Sequence, residues 1–171
     1  MRTKVLVLVV LGVLTVSAGA AWAQYGGYGA AAQEEKPFLR AKVGWFEPDE
    51  SALDGDLAFG VDYIVPEHQG YLSIDRLHAE DGAAETTAWS IMGGIYRTST
   101  YANREVYYGA GVGWSSHELK TPLVKRDDDG FAWEVGAGMN LSRTGFIEVK
   151  YRDGGEDGNT GFILFVGMSY E

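Results

Sequence analysis

The sequence predicts an all-β fold: an eight-stranded antiparallel up-and-down transmembrane β-barrel, preceded by a cleaved signal peptide and a short flexible tail. Three observations carry that prediction. From Phe38 onward apolar residues recur at every second position through eight successive segments, and no stretch has the 3.6-residue period of an amphipathic helix. Glycines and balanced charges share the face opposite the apolar one. The connections alternate between long, acidic stretches and short turns.

The chain opens MRTKVLVLVVLGVLTVSAGAAWAQ, with Arg2 and Lys4 ahead of an apolar run from Val5 to Val16 and a small-residue site, Ala21-Trp22-Ala23. This pattern predicts a secretory signal peptide over residues 1–23. The apolar run is shorter than the roughly 20 residues of a membrane-spanning helix. Residues 24–37, a Gly/Ala/Tyr-rich tract ending in charges, read as a flexible N-terminal segment. Residues 38–171 then form one barrel domain. Losing residues 1–23 removes two basic groups and no acidic one, so the formal charge moves from −10 to −12. A nucleic-acid partner needs a basic footprint and is not expected. There is no cysteine, so an exported chain of this kind takes its stability from the fold rather than from disulfides.

The strands follow in order. In the first, Leu39, Ala41, Val43 and Trp45 alternate with Arg40, Lys42 and Gly44; in the second, Leu57, Phe59, Val61 and Tyr63 alternate with Ala58, Gly60 and Asp62. The third, from Tyr71, sets Leu72 and Ile74 against Ser73 and Asp75, then loses phase at Arg76-Leu77, where a bulge or strand end is expected. The fourth places Trp89, Ile91 and Ile95 opposite Ser90, Met92 and Gly94. The fifth is VYYGAGVGW, residues 106–114. The sixth sets Phe131, Trp133, Val135, Ala137, Met139 and Leu141 against Ala132, Glu134, Gly136, Gly138 and Asn140. The seventh sets Ile147, Val149 and Tyr151 against Glu148, Lys150 and Arg152, and the last sets Phe162, Leu164, Val166, Met168 and Tyr170 against Ile163, Phe165, Gly167 and Ser169. Long connections are expected at Pro48–Gly55, Glu80–Thr86, Ser116–Asp129 and Asp153–Asn159, and short ones at Pro66–Gln69, Thr98–Arg104 and Ser142–Thr144.

A soluble barrel and a membrane barrel share this alternation turned inside out, so orientation needs its own argument. Ten glycines lie within strands, and nine of them (Gly44, Gly60, Gly94, Gly109, Gly111, Gly113, Gly136, Gly138 and Gly167, but not Gly93) share the polar face. A solvated face has no use for glycine, whereas the narrow interior of eight strands must set small residues against large ones. The same face carries Arg40, Lys42, Lys150 and Arg152 with Asp62, Asp75, Glu134 and Glu148. Four charges of each sign suit a mutually neutralised interior, where buried charges must be paired. The aromatic residues sort by depth: Trp45, Trp89, Trp114 and Trp133 lie near the long connections, and Tyr63 and Tyr170 lie at the opposite ends. With Tyr151 they form the expected interfacial girdle.

The segments KVGWFEP (42–48), YYGAGVGW (107–114), FIEVKYR (146–152) and FVGMSY (165–170) resemble the small outer-membrane β-barrel family of OmpX/OmpA-like proteins, and the pattern extends over about residues 38–171. The resemblance implies a porin-like membrane protein of the Gram-negative envelope, folded into the bacterial cell outer membrane from the periplasm. Its partners would be outer-membrane lipid and the outer-membrane assembly machinery. Such chains often end on an aromatic residue; this one ends Tyr170-Glu171. A monomer is expected, and the ligand of the loops is left open.

No catalytic residue, cofactor or metal is expected. His68, His78 and His117 are the candidates for proton transfer near neutrality. Ser115-Ser116-His117-Glu118 holds the residue types of a nucleophilic triad, but neighbours on a strand point to opposite faces. Lipid A deacylases of this fold size use a His-x-Ser pair, which is absent here. Asp127-Asp128-Asp129 and residues 153–159 could offer oxygens to Ca²⁺, yet neither has the EF-hand spacing. The function read from the sequence is therefore a non-enzymatic barrel presenting acidic surface loops, for envelope integrity or surface interaction. One alternative is a soluble periplasmic lipocalin-like barrel with Leu39, Val43, Phe59, Val112 and Trp133 around an apolar ligand, although Gly44-Trp45 does not reproduce the lipocalin G-x-W signature. Another is a narrow channel for small hydrophobic molecules, since eight strands leave no broad lumen.

Overall fold

Alternating apolar and polar residues can satisfy both the backbone and a lipid-facing surface only if the sheet closes on itself. The computed structural model describes residues 36–49, 54–82, 84–102, 104–154 and 160–170. The expected signal peptide and all of the N-terminal segment before Lys36 lie outside them. Eight strands run in sequence order: β1 Phe38–Pro48, β2 Asp54–Val65, β3 Gly70–Asp81, β4 Ala84–Tyr101, β5 Arg104–Lys120, β6 Lys125–Asn140, β7 Gly145–Asp153 and β8 Gly161–Tyr170. Each pairs antiparallel with its neighbour, and β1 closes on β8 from Leu39↔Tyr170 to Pro48↔Gly161. The one helical turn among the described residues is Pro66–His68. It starts on a proline, and Gln69 in the left-handed region ends it.

The face question has a direct answer. Arg40, Lys42, Asp62, Asp75, Glu134, Glu148, Lys150 and Arg152 are buried inside the barrel, while Leu39, Val43, Phe59, Val61, Leu72, Ile74, Ile91, Val112, Leu164 and Val166 are exposed on its outer wall. The lipocalin-like arrangement is thereby overturned: Leu39, Val43, Phe59, Val112 and Trp133 ring the outside and line no internal cavity. Their exposed face forms a continuous apolar band, which in water would be an aggregation surface and in a bilayer is the solvated state.

Two expectations about elements are corrected. β3 does not break at Arg76-Leu77; it alternates through to Glu80, with Leu77 and Ala79 buried and Arg76 outside against the Trp89 ring at 5.5 Å. The irregularity lies across the ladder on β2, where the register shifts between Gly55 and Ala58. The connections expected at Glu80–Thr86 and Ser116–Asp129 are mostly strand: β3 and β4 are joined by residues 82–83, and β5 and β6 by residues 121–124. Outside the apolar band both faces of a strand are polar, so the ladder continues without the hydrophobic alternation that marks it in sequence. Likewise most of Thr98–Arg104 is strand, since β4 runs to Tyr101 and β5 starts at Arg104.

Candidate functional site

The interior is the most elaborate constellation in the molecule, and it is built in layers. Toward the long-connection end Phe46, Ala58, Leu77, Ala79, Ala88, Ile163 and Phe165 pack into an apolar plug, with Phe46, Ile163 and Phe165 completely buried. Beneath it runs a chain of alternating charge, Asp62–Lys42–Asp75–Arg152–Glu134–Lys150–Glu148. Lys42 Nζ lies 2.5 Å from Asp62 and 3.0 Å from Asp75, and Arg152 pairs with Asp75 and with Glu134. Lys150 Nζ is 3.0 Å from Glu134 and 3.6 Å from Glu148. Neutral hydroxyls fill the gaps: Tyr71 donates to Glu134 at 2.8 Å, Ser73 accepts from Lys42 at 3.1 Å, and Ser90 accepts from Arg152. Glu134 thus receives from Lys150, Arg152 and Tyr71 together, and its remaining lone pairs are well used.

Seven of the eight charges singled out from the sequence belong to this chain; Arg40 does not. Its guanidinium lies over the rings of Tyr107 at 4.5 Å, Phe146 at 4.9 Å and Phe38 at 5.4 Å, an aromatic cage rather than an ion pair. Arg40, Tyr107 and Glu148 line a cavity of about 30 Å³ near the short-turn end, and Arg40 Nε, Tyr107 Oη and Glu148 Oε2 are buried without a hydrogen-bond partner in the protein. A cavity of that volume has room for about two waters, and those three atoms are the partners they would take.

The glycines of the polar face give way to particular neighbours. A Cβ on Gly94 or Gly111 would strike the Tyr71 ring or its hydroxyl at 2.5 and 2.3 Å, and one on Gly138 would strike the Tyr107 ring at 2.5 Å. Gly60 makes room for Asp75 and Lys42, and Gly136 for the Lys150 stem. At Gly44, Gly109 and Gly113 the obstacle would be the carbonyl of the neighbouring strand.

The aromatic residues mark both edges of the band. At the long-connection edge Trp45 Nε1 donates to Glu47 and Trp114 Nε1 to Asp129, each at 3.1 Å, and Tyr151 donates to Asp49 at 2.8 Å. Trp133, Tyr151 and Phe162 stack edge to tilted edge there. An amphipathic ring with its body in the apolar band and its polar atom on a carboxylate beyond it suits an interface. Tyr63 and Tyr170 flank Leu39 across the ladder at the other edge.

The remaining candidates are dispersed. His68 sits exposed in the turn after β2. His117, expected at the start of the longest loop, is a buried strand residue of β5, with Ser115 on its own face and Ser116 and Glu118 on the other. Asp127, Asp128 and Asp129 lie in β6 and do not converge: Asp127 meets Lys125, Asp128 meets Arg126, and Asp129 meets Trp114. Sequence reasoning missed the trio Asp56, His78 and Glu80, whose ligand-type atoms lie within 4.8 Å of one another. It also missed the plug. The alternation in β8 set Ile163 and Phe165 on the inward face with Gly167, but nothing along the strand reported that they meet Phe46 and Leu77 in one apolar layer.

No family model matches the chain, and no curated protein is similar to it at a significant level. Solved structures are similar in fold. The N-terminal β-barrel domain of Pseudomonas aeruginosa OprF is 14% identical with a TM-score of 0.53, over 81% of this chain and 100% of that one. Ail, the attachment invasion locus protein of Yersinia pestis, in complex with the heparin analogue sucrose octasulfate, is 13% identical with a TM-score of 0.50, over 80% of this chain and 100% of that one.

Proposed function

We propose that this protein is a non-enzymatic integral barrel of the bacterial outer membrane, whose role is to hold rigid, acidic hairpins at the cell surface. The observation that carries this reading is an apolar outer wall around a filled interior: residues that would crowd any through-path, Phe46, Leu77 and Ile163, are buried above a seven-membered charge chain. A bulk solute has no route through such an interior, which weighs against the narrow-channel alternative. The wall suits acyl chains, and the OprF and Ail structures share its eight-stranded architecture. The β5–β6 hairpin runs well past the girdle, and the strand ends and connections around it carry Asp49, Asp54, Glu80, Asp81, Glu85 and Asp153. An acidic rim does not favour a polyanion such as the heparin analogue in the Ail complex; cationic or neutral partners fit it better.

The test begins with membrane fractionation and heat-modifiable gel mobility. A barrel that fractionates with the outer membrane and resists SDS until boiled is expected; recovery in the periplasmic extract would overturn the placement. Trimming residues 117–128 then separates the two roles of such a barrel. Surface presentation requires the trimmed strain to lose adhesion while it keeps wild-type detergent resistance. Unchanged adhesion would remove the hairpin from the function.

A further inference from the structure

We infer that Asp56, His78 and Glu80 form a binding site for a zinc-class divalent cation on the outer rim of the barrel, where the sequence reading expects no metal. His78 Nε2 lies 3.6 Å from Asp56 Oδ2 and 3.9 Å from Glu80 Oε2. A tetrahedral zinc with bonds of about 2.0–2.1 Å holds its ligands roughly 3.3 Å apart, so side-chain rotation alone closes the trio onto a metal. One imidazole nitrogen with two carboxylates leaves a fourth position for water. The nitrogen selects a borderline cation over Ca²⁺ or Mg²⁺, which favour all-oxygen shells.

Three features of the fold assemble this trio. His78 and Glu80 are two apart on β3 and therefore share a face. Asp56 would not join them on a regular ladder. The register shift between Gly55 and Ala58 sets Asp56 and Leu57 together against the single residue His78, and a bulge of that kind re-aims a side chain. On the other side His78 Nδ1 is 3.2 Å from Thr87 Oγ1, which fixes the ring with Nε2 toward the carboxylates, as an outer-shell partner does for a metal-bound histidine. Electrostatics points the same way. Among the described residues no lysine or arginine pairs with Asp56 or Glu80, so two carboxylates converge on an imidazole nitrogen with no fixed cation between them. The site is open to solvent, with side-chain exposures of 28%, 25% and 68% for Asp56, His78 and Glu80.

The sequence has three histidines, so the assignment can be tested cleanly with an untagged full chain folded in detergent. Zn²⁺ is titrated by calorimetry, and Co²⁺ is followed by visible absorption. One ion per chain is expected, with tetrahedral Co²⁺ bands that Zn²⁺ displaces. His78→Ala and Asp56→Asn should each weaken binding more than about 10-fold, and Thr87→Val by about 10-fold; His68→Ala, at the opposite end of the barrel, should change nothing. Heat-modifiable mobility verifies that each variant is folded, and Glu80→Gln, at a largely exposed carboxylate, gives a variant in which folding is not at stake. Absence of saturable binding to the wild type, or wild-type affinity in folded His78→Ala or Glu80→Gln, would overturn the site.

Discussion

Glu134 matters more than any other interior residue because three donors depend on it. Truncating it takes the acceptor from the Tyr71 hydroxyl and a carboxylate from both Lys150 and Arg152, leaving Lys150 only Glu148 at 3.6 Å, and breaking a buried ion pair from one side costs about 3–5 kcal/mol. Glu134→Ala should therefore lower urea stability in detergent by that amount. Glu148→Ala should cost less, under about 2 kcal/mol, since Glu148 makes one 3.6 Å contact where Glu134 accepts from three donors. Equal losses for the two variants would show that the charges act only as a pool. A second comparison tests whether the small residues are required for space. Gly111→Ala sets a methyl 2.3 Å from Tyr71 Oη and should destabilise by about 1–3 kcal/mol. Gly130→Ala meets nothing within 4 Å and should stay within about 0.5 kcal/mol of wild type in the same unfolding measurement. The charges and glycines were legible in the sequence as one face, but their pairing was not. Residues such as Asp75 and Arg152 meet across the lumen, and Arg40 met aromatic rings instead of an acid; no pattern along a strand reports what lies opposite.

At the scale of the element, β4, β5 and β6 are 18, 17 and 16 residues long, whereas spanning the hydrocarbon takes about 9–11. The surplus stands above the girdle as paired strands, where Glu118 bridges Lys120 at 2.6 Å and Lys125 at 3.1 Å. Hydrogen bonds from Lys120 and then Lys125 hold the Glu118 carboxyl below the usual carboxylate range. A depressed folded-state pKa contributes order that is complete above the ordinary carboxylate range and is lost as pH falls through the lowered value. Amide protection factors at residues 117–127, with the intrinsic pH dependence of exchange divided out, should thus be flat from neutrality down to the ordinary carboxylate range and fall only below it. A fall that begins above that range would separate hairpin order from this carboxylate. Element boundaries were the least legible feature of the sequence. Hydrophobic alternation reports lipid contact, not backbone pairing, so strand segments beyond the membrane read as loops.

For the molecule as a whole, the inward polar face and outward apolar face amount to a claim about solvent. Val166 pairs with Val43 and Ile147 midway between the two girdles. An arginine there should cost about 2–4 kcal/mol for folding into vesicles, read as a shift in the refolding midpoint. A neutral effect would mean that the band does not face lipid. The interior, by contrast, is mostly filled, by the apolar plug, the charge chain and the Arg40 cage, apart from the cavity of about 30 Å³. At the rim, outside this filled interior, the bulge on β2 brings Asp56 to His78.

The order of residues by itself determined the strand number, the face each side chain takes and the depth of the aromatic rings. A period of two is a local property, and burial in lipid selects for it at every position. Tertiary structure decided which ions pair, where the plug sits, how far the hairpins rise and which side chains gather at the β2 bulge. Those depend on closure, which brings together residues as far apart in the chain as Asp75 and Arg152. The angular position of a residue around the barrel follows from the register of the strands between, and a single shifted pair moves it.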